Sequence, residues 1–148
     1  KLPYKMSYVL TSLILLQISL GAFVSGLDAG KIYQSWPLMG DSFFPNDSNL
    51  KSLFSLQLFE RPSLVQFIHR NIAYLILIFF LFISYFVYTN NKFLYLRKAV
   101  LLIFVTLFIQ IVLGILVILS GAHIILASMH QIGSIFLVIF STELIYKN

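Results

Sequence analysis

The chain has 148 residues, 59% of them hydrophobic and 10% charged, with a mean hydropathy of +0.94, a composition outside that of soluble domains. Its net charge of +5 is spread along the chain, so it reads as membrane topology and points to no nucleic-acid partner. With no cysteine there is no disulfide and no thiolate metal ligand.

A hydrocarbon core of roughly 30 Å needs about 20 apolar residues per helix. Segments at 6–27, 63–88, 93–119 and 124–146 qualify, and none shows the two-residue alternation of a membrane barrel strand. The expected fold class is therefore all-α transmembrane: an antiparallel four-helix bundle, with residues 1–148 forming a single domain.

The first span ends in GAFVSGLDAG, where Gly21, Gly26 and Gly30 oppose a helix continuing past Asp28. Residues 28–62 follow as a long loop holding Pro37, Pro45, Pro62, the only tryptophan, Trp36, and every acid except Glu143. Within it KSLFSLQLFE fits a short amphipathic helix on the membrane surface. A loop of this length either links passively or covers a site, and both readings stay open. The second span carries His69. The third and fourth, joined only around Ser120, Gly121 and Ala122, form an antiparallel hairpin.

Lys1, Lys5, Lys92, Arg97, Lys98 and Lys147 flank one set of span ends. At the other set, Lys31, Lys51 and Arg61 face Asp28, Asp41, Asp47 and Glu60, three cations against four acids. The positive-inside rule places both termini and the turn between spans two and three on the cytoplasmic or matrix side. No basic, apolar and small cleavage pattern precedes the first span, so no signal peptide is expected. A first residue of Lys reads as a chain trimmed from a longer one.

Two stretches repeat, QISLGAFVSG (17–26) and QIVLGILVILSG (110–121), each followed by a span with a histidine near its start. Two hairpins of one design are what duplication of a two-helix unit leaves behind. Gln17, Gly21 and Ser25 share one helical face, as do Thr106, Gln110 and Gly114. Such faces serve either close helix packing or a roomy polar wall beside a cofactor.

His69 and His130 lie about 9 Å into the second and fourth spans at 1.5 Å per residue, both near the outer face. A titratable, metal-binding side chain is costly in hydrocarbon, and two at equal depth point to one buried ligand held from both sides. Sequential ring order puts these spans on the diagonal of a square bundle, about 12–14 Å across, enough for a heme edge-on between two imidazoles. Ala127, Gly133 and Ser134 near His130, and Ala73 beyond His69, leave room for a flat macrocycle. Arg70 either pairs with a heme propionate or snorkels to lipid headgroups. Zinc fits poorly without a third or fourth ligand. His123, one heptad before His130, reads as an interfacial bystander, and Glu60 and Glu143 do not converge on the pair.

The segments GAFVSGLDAGKIYQSWPLMGDSFFP, LVQFIHR, QIVLGILVILSG and LASMHQIG, in that order, resemble the C-terminal half of the heme A synthase family, membrane enzymes that make heme A for cytochrome oxidase. The resemblance spans nearly the whole chain. It implies one half of a two-fold repeated eight-helix enzyme in a bacterial cytoplasmic or mitochondrial inner membrane. It implies that His69 and His130 are axial ligands to the iron of a heme b, and that the whole enzyme oxidises a methyl of heme O to the formyl of heme A. The partners implied are the N-terminal half of the same enzyme, the bilayer, heme O as substrate, heme O synthase and an electron donor.

The family's catalytic half carries a glutamate three residues before its first histidine, where this chain has Gln66. That departure implies an accessory or electron-transferring half, not catalytic alone, within either a fragment or a split subunit. Two other classes stay open: a bis-histidine b-type cytochrome that only moves electrons, and a heme-free structural protein in which the histidines hydrogen-bond within the bundle.

Overall fold

The computed structural model describes residues 1–148, except for the side chain of Tyr4. Its α-helices are α1 (Met6–Gly26), the short α2 (Gln57–Glu60), α3 (Pro62–Thr89), α4 (Arg97–Leu119) and α5 (Ile124–Lys147). No strand occurs among the described residues, apart from an isolated bridge pairing Met39 with Ser42. With 21, 28, 23 and 24 residues, α1, α3, α4 and α5 are each long and apolar enough to cross a bilayer. The chain is an all-α integral membrane protein built as a four-helix bundle.

Local chemistry sets most helix ends. α1 stops where Asp28 adopts a left-handed φ of 52°. Pro62 opens α3, where its missing N–H loses no intrahelical bond. The α4–α5 turn needs positive φ at Gly121 (68°) and Ala122 (62°). The third span differs from the sequence expectation of a start near 93. Asn91–Leu96 is a 3₁₀ turn with Phe93 off helical geometry (φ −109°, ψ 19°), and the α-helix begins at Arg97. The cause is local: the Asn90 side chain accepts from the Lys92 N–H at 3.0 Å. Arg97 in turn donates back to the Tyr88 carbonyl at 2.9 Å and sits over the Tyr88 ring. The expected surface helix over KSLFSLQLFE is also divided. Ser55 is extended (φ −129°, ψ 168°) between the 3₁₀ turn Leu50–Phe54 and α2, and Phe54 and Leu56 on either side of it are exposed.

Packing follows a ring. α1 lies against α3, α4 against α5, and α1 against α5, with α3 against α4 the lightest seam. This leaves α3 and α5 on one diagonal. The apolar core gathers toward the termini, with Leu10, Ile14, Phe80, Ile83, Val87, Leu96, Val100, Ile103 and Leu144 buried. In lipid such contacts stabilise by close packing, since leaving hydrocarbon for protein gains little hydrophobic free energy. The termini meet at this end: the Leu2 N–H donates to Asn148 Oδ1 at 2.5 Å, and Asn148 Nδ2 to Ser7 Oγ at 3.2 Å. Toward the long loop the core changes character, and the facing residues become glutamine, glycine and histidine.

Candidate functional site

His69 stands in the second turn of α3 with α1 behind it. Gln17 donates its amide Nε2 to the His69 carbonyl at 3.0 Å and lies 3.2 Å from the His69 ring Nε2. One turn along α1, Gly21 faces the ring so closely that a Cβ there would come 3.3 Å from Cε1. The second hairpin repeats the arrangement: a Cβ on Gly114 of α4 would come 3.2 Å from Cε1 of His130. The repeated Gln-x-x-x-Gly of the sequence thus becomes a repeated seat for an imidazole. Each ring has its Nδ1 buried without a hydrogen-bond partner.

The trios read from the sequence divide. Gln17 and Gly21 contact the histidine while Ser25 is exposed. In α4 Gly114 touches His130, whereas Thr106 turns its hydroxyl back to the Leu102 carbonyl. The Gln110 side chain is buried against Gly133 with its Nε2 unpartnered. Gln110, Gly133 and Thr106 line a groove of about 460 Å³ that opens between α4 and α5.

Arg70 is buried and bound to the long loop. Its Nη1 donates to the carbonyls of Ser35 (2.9 Å) and Leu38 (3.2 Å), and its Nη2 to that of Tyr33 (3.0 Å). The guanidinium does not snorkel, and only its Nε is left unpartnered. Gln66, one helical turn before Arg70, donates to the same Tyr33 carbonyl at 3.0 Å. Phe43 and Phe44 pack edge-on against Phe67, at 5.7 Å and 5.0 Å between centroids. Arg61 holds the Asp47 carbonyl at 3.0 Å. The loop also reaches the other hairpin, with Gly30 against Ala122 and Gln34 against Gly121. It is therefore a folded cover over the histidine end of the bundle.

Sequence reasoning missed Gln66 and Arg70 as anchors of that cover. Their partners are main-chain carbonyls, which carry no sequence signal. His123 is exposed at the start of α5, away from the seats. Glu143 pairs with Lys147 at 2.6 Å near the C-terminus. Among the described residues no group of three or more His, Cys, Asp or Glu is placed to hold a bare metal ion. The donor set is two imidazoles, which suits a metal whose other ligands arrive with it.

Fold and site together define a class: an integral membrane four-helix bundle that seats two histidines beneath a folded loop. The sequence profile described as cytochrome oxidase assembly protein matches residues 3–142, and the chain belongs to that family, the heme A synthase family. It is 47% identical over 148 residues to the heme A synthase of Pelagibacter ubique, covering 100% of this chain and 43% of that protein. Against the heme A synthase of Bartonella tribocorum it is 40% identical over 122 residues, 82% of this chain and 34% of the relative. Against that of Paracoccus denitrificans it is 37% identical over 132 residues, 89% of this chain and 34% of the relative. The chain thus spans less than half the length of these relatives and matches their C-terminal part. No solved structure matches it significantly.

Proposed function

We propose that residues 1–148 form one heme-binding domain, the C-terminal half of a heme A synthase, in which His69 and His130 are the two axial ligands of a heme b. The observation that carries this reading is the duplicated seat: two imidazoles on diagonal helices, each backed by a glycine and each with a buried ring nitrogen lacking a partner. An unmatched buried polar atom is costly, and a ligating imidazole uses one nitrogen for the metal and the other as a hydrogen-bond donor: Nδ1 is the nitrogen for the hydrogen bond, which leaves Nε2 for the metal. A heme held by these two imidazoles would supply one-electron redox chemistry.

The chain's own residues do the rest. α3 and α5 hold the imidazoles from opposite sides, Gly21 and Gly114 clear the space the rings need, and the loop anchored by Arg70 and Gln66 limits access of water. Arg70 Nε is the donor left over for a propionate carboxylate. Gln66 supports an accessory, electron-transferring role, because a neutral amide committed to the Tyr33 carbonyl cannot serve as a carboxylate base. Oxidation of heme O to heme A, with heme O synthase and an electron donor as partners, then belongs to the whole enzyme. An electron-transfer cytochrome remains the second reading, favoured by the same glutamine.

Heme A formation in cells separates the two. Coexpression of this chain with the N-terminal half of its relatives should yield heme A, and His69→Ala or His130→Ala should abolish it. Full yield from the N-terminal half alone would leave this chain an electron-transfer cytochrome.

A further inference from the structure

We propose that Gln17 and Gly21 are positioning residues for His69: the Gln17 amide holds the ring with its proton on Nδ1, leaving Nε2 as the electron-pair donor, while Gly21 provides the gap that seats it. Gly114 seats His130 in the same way. This rests on the heme reading only for its purpose, not for its geometry.

The tautomer follows from hydrogen-bond roles. A carbonyl oxygen only accepts, so the group of Gln17 that lies 3.0 Å from the His69 carbonyl is the NH₂ end of the amide. The same NH₂ lies 3.2 Å from the His69 Nε2. A neutral imidazole nitrogen facing a donor must accept, which puts the ring proton on Nδ1. Nδ1 is buried without a partner. A side chain at position 21 would crowd the ring, because its Cβ would come 3.3 Å from Cε1.

The second hairpin repeats the backbone half of this device. A Cβ on Gly114 would crowd Cε1 of His130 in the same manner. The side-chain half is absent there: the Gln110 amide lies against Gly133 and touches no ring nitrogen. Tautomer control by an amide is thus specific to His69. A metal-binding histidine commonly donates its second nitrogen to a carbonyl, which fixes ring orientation. Gln17 prepares His69 for that role. Were an iron to bind at Nε2, Gln17 would give up that contact and keep its bond to the His69 carbonyl.

The test uses the full chain in detergent with isotope-labelled histidine, read by ring-nitrogen NMR in mildly alkaline, heme-free buffer and then titrated with hemin. Wild type should show His69 as the Nδ1–H tautomer. Gln17→Glu, which replaces the donor by an acceptor, should move the proton to Nε2, and Gln17→Leu should give a mixture; neither should change His130. Gly21→Ala should shift only His69 and Gly114→Ala only His130. Gly26→Ala, where a Cβ meets nothing, should shift neither. Hemin affinity should fall about 10- to 100-fold for the Gly21, Gly114 and Gln17→Leu variants and stay unchanged for Gly26→Ala. An Nε2–H tautomer in the wild type, or one unmoved by both Gln17 variants, overturns the proposal. The expected tautomers with no hemin binding would support the seating of His69 and overturn the heme reading.

Discussion

Arg70 shows how one residue can decide the state of a long loop. A guanidinium at the end of a membrane helix has a cheap alternative, snorkelling into the headgroups, yet here it spends both terminal nitrogens on three carbonyls of the cover. Hydrogen bonds to a charged donor are worth about 1.5–3 kcal/mol each. Arg70→Met should therefore destabilise the docked loop by at least about 3 kcal/mol and speed proteolysis within residues 40–58 at least about 100-fold in nanodiscs. Arg70→Lys should fall between, since an ammonium cannot span three acceptors in a plane. Cleavage at the wild-type rate in Arg70→Met would show that the loop is held by its aromatic contacts alone. The arginine itself was legible in the sequence, but its partners were not. The histidines were easier to find, because a titratable ring inside an apolar run is conspicuous by type.

At the scale of elements, boundaries were legible wherever a residue's backbone chemistry enforces them. Pro62 starts α3, and α1 and α4 end within a residue of expectation, just before Asp28 and Gly121 at positive φ. The start of α4 was not legible, because Phe93, Leu94 and Leu96 continue the apolar pattern while Asn90 and Arg97 bend the chain beneath it. The division at Ser55 was hidden for the same reason. Gly121 combines positive φ with the Gln34 amide 3.2 Å from where a Cβ would stand. Gly121→Val should cost about 2 kcal/mol from left-handed strain in a β-branched residue and loosen the loop contact, whereas Gly26→Ala should be neutral or slightly stabilising. Thermal unfolding in detergent measures both. Equal melting temperatures would show that the α4–α5 turn tolerates a different conformation.

For the whole molecule, the duplication read from two short stretches describes a real architecture: α1 with α3, and α4 with α5, present the same glycine to the same ring carbon. The hairpins differ mainly in their connections, a folded cover in one and a tight turn in the other. The charge distribution predicts that this cover lies on the outer face. The chain has no cysteine, so Asp47→Cys and Asn91→Cys variants report topology without background. Membrane-impermeant label should reach position 47 from outside and position 91 only from inside, and reaction of both from one side would contradict the four-span arrangement.

If the two seated imidazoles are ligands to one heme iron, low-temperature EPR of the full chain reconstituted with hemin should show a low-spin ferric signal. That signal should disappear in His69→Ala and in His130→Ala and survive in His123→Ala. A low-spin signal that persists without His130 and vanishes without His123 would contradict that ligation, and would move the ligand one heptad earlier, into the exposed turn before α5.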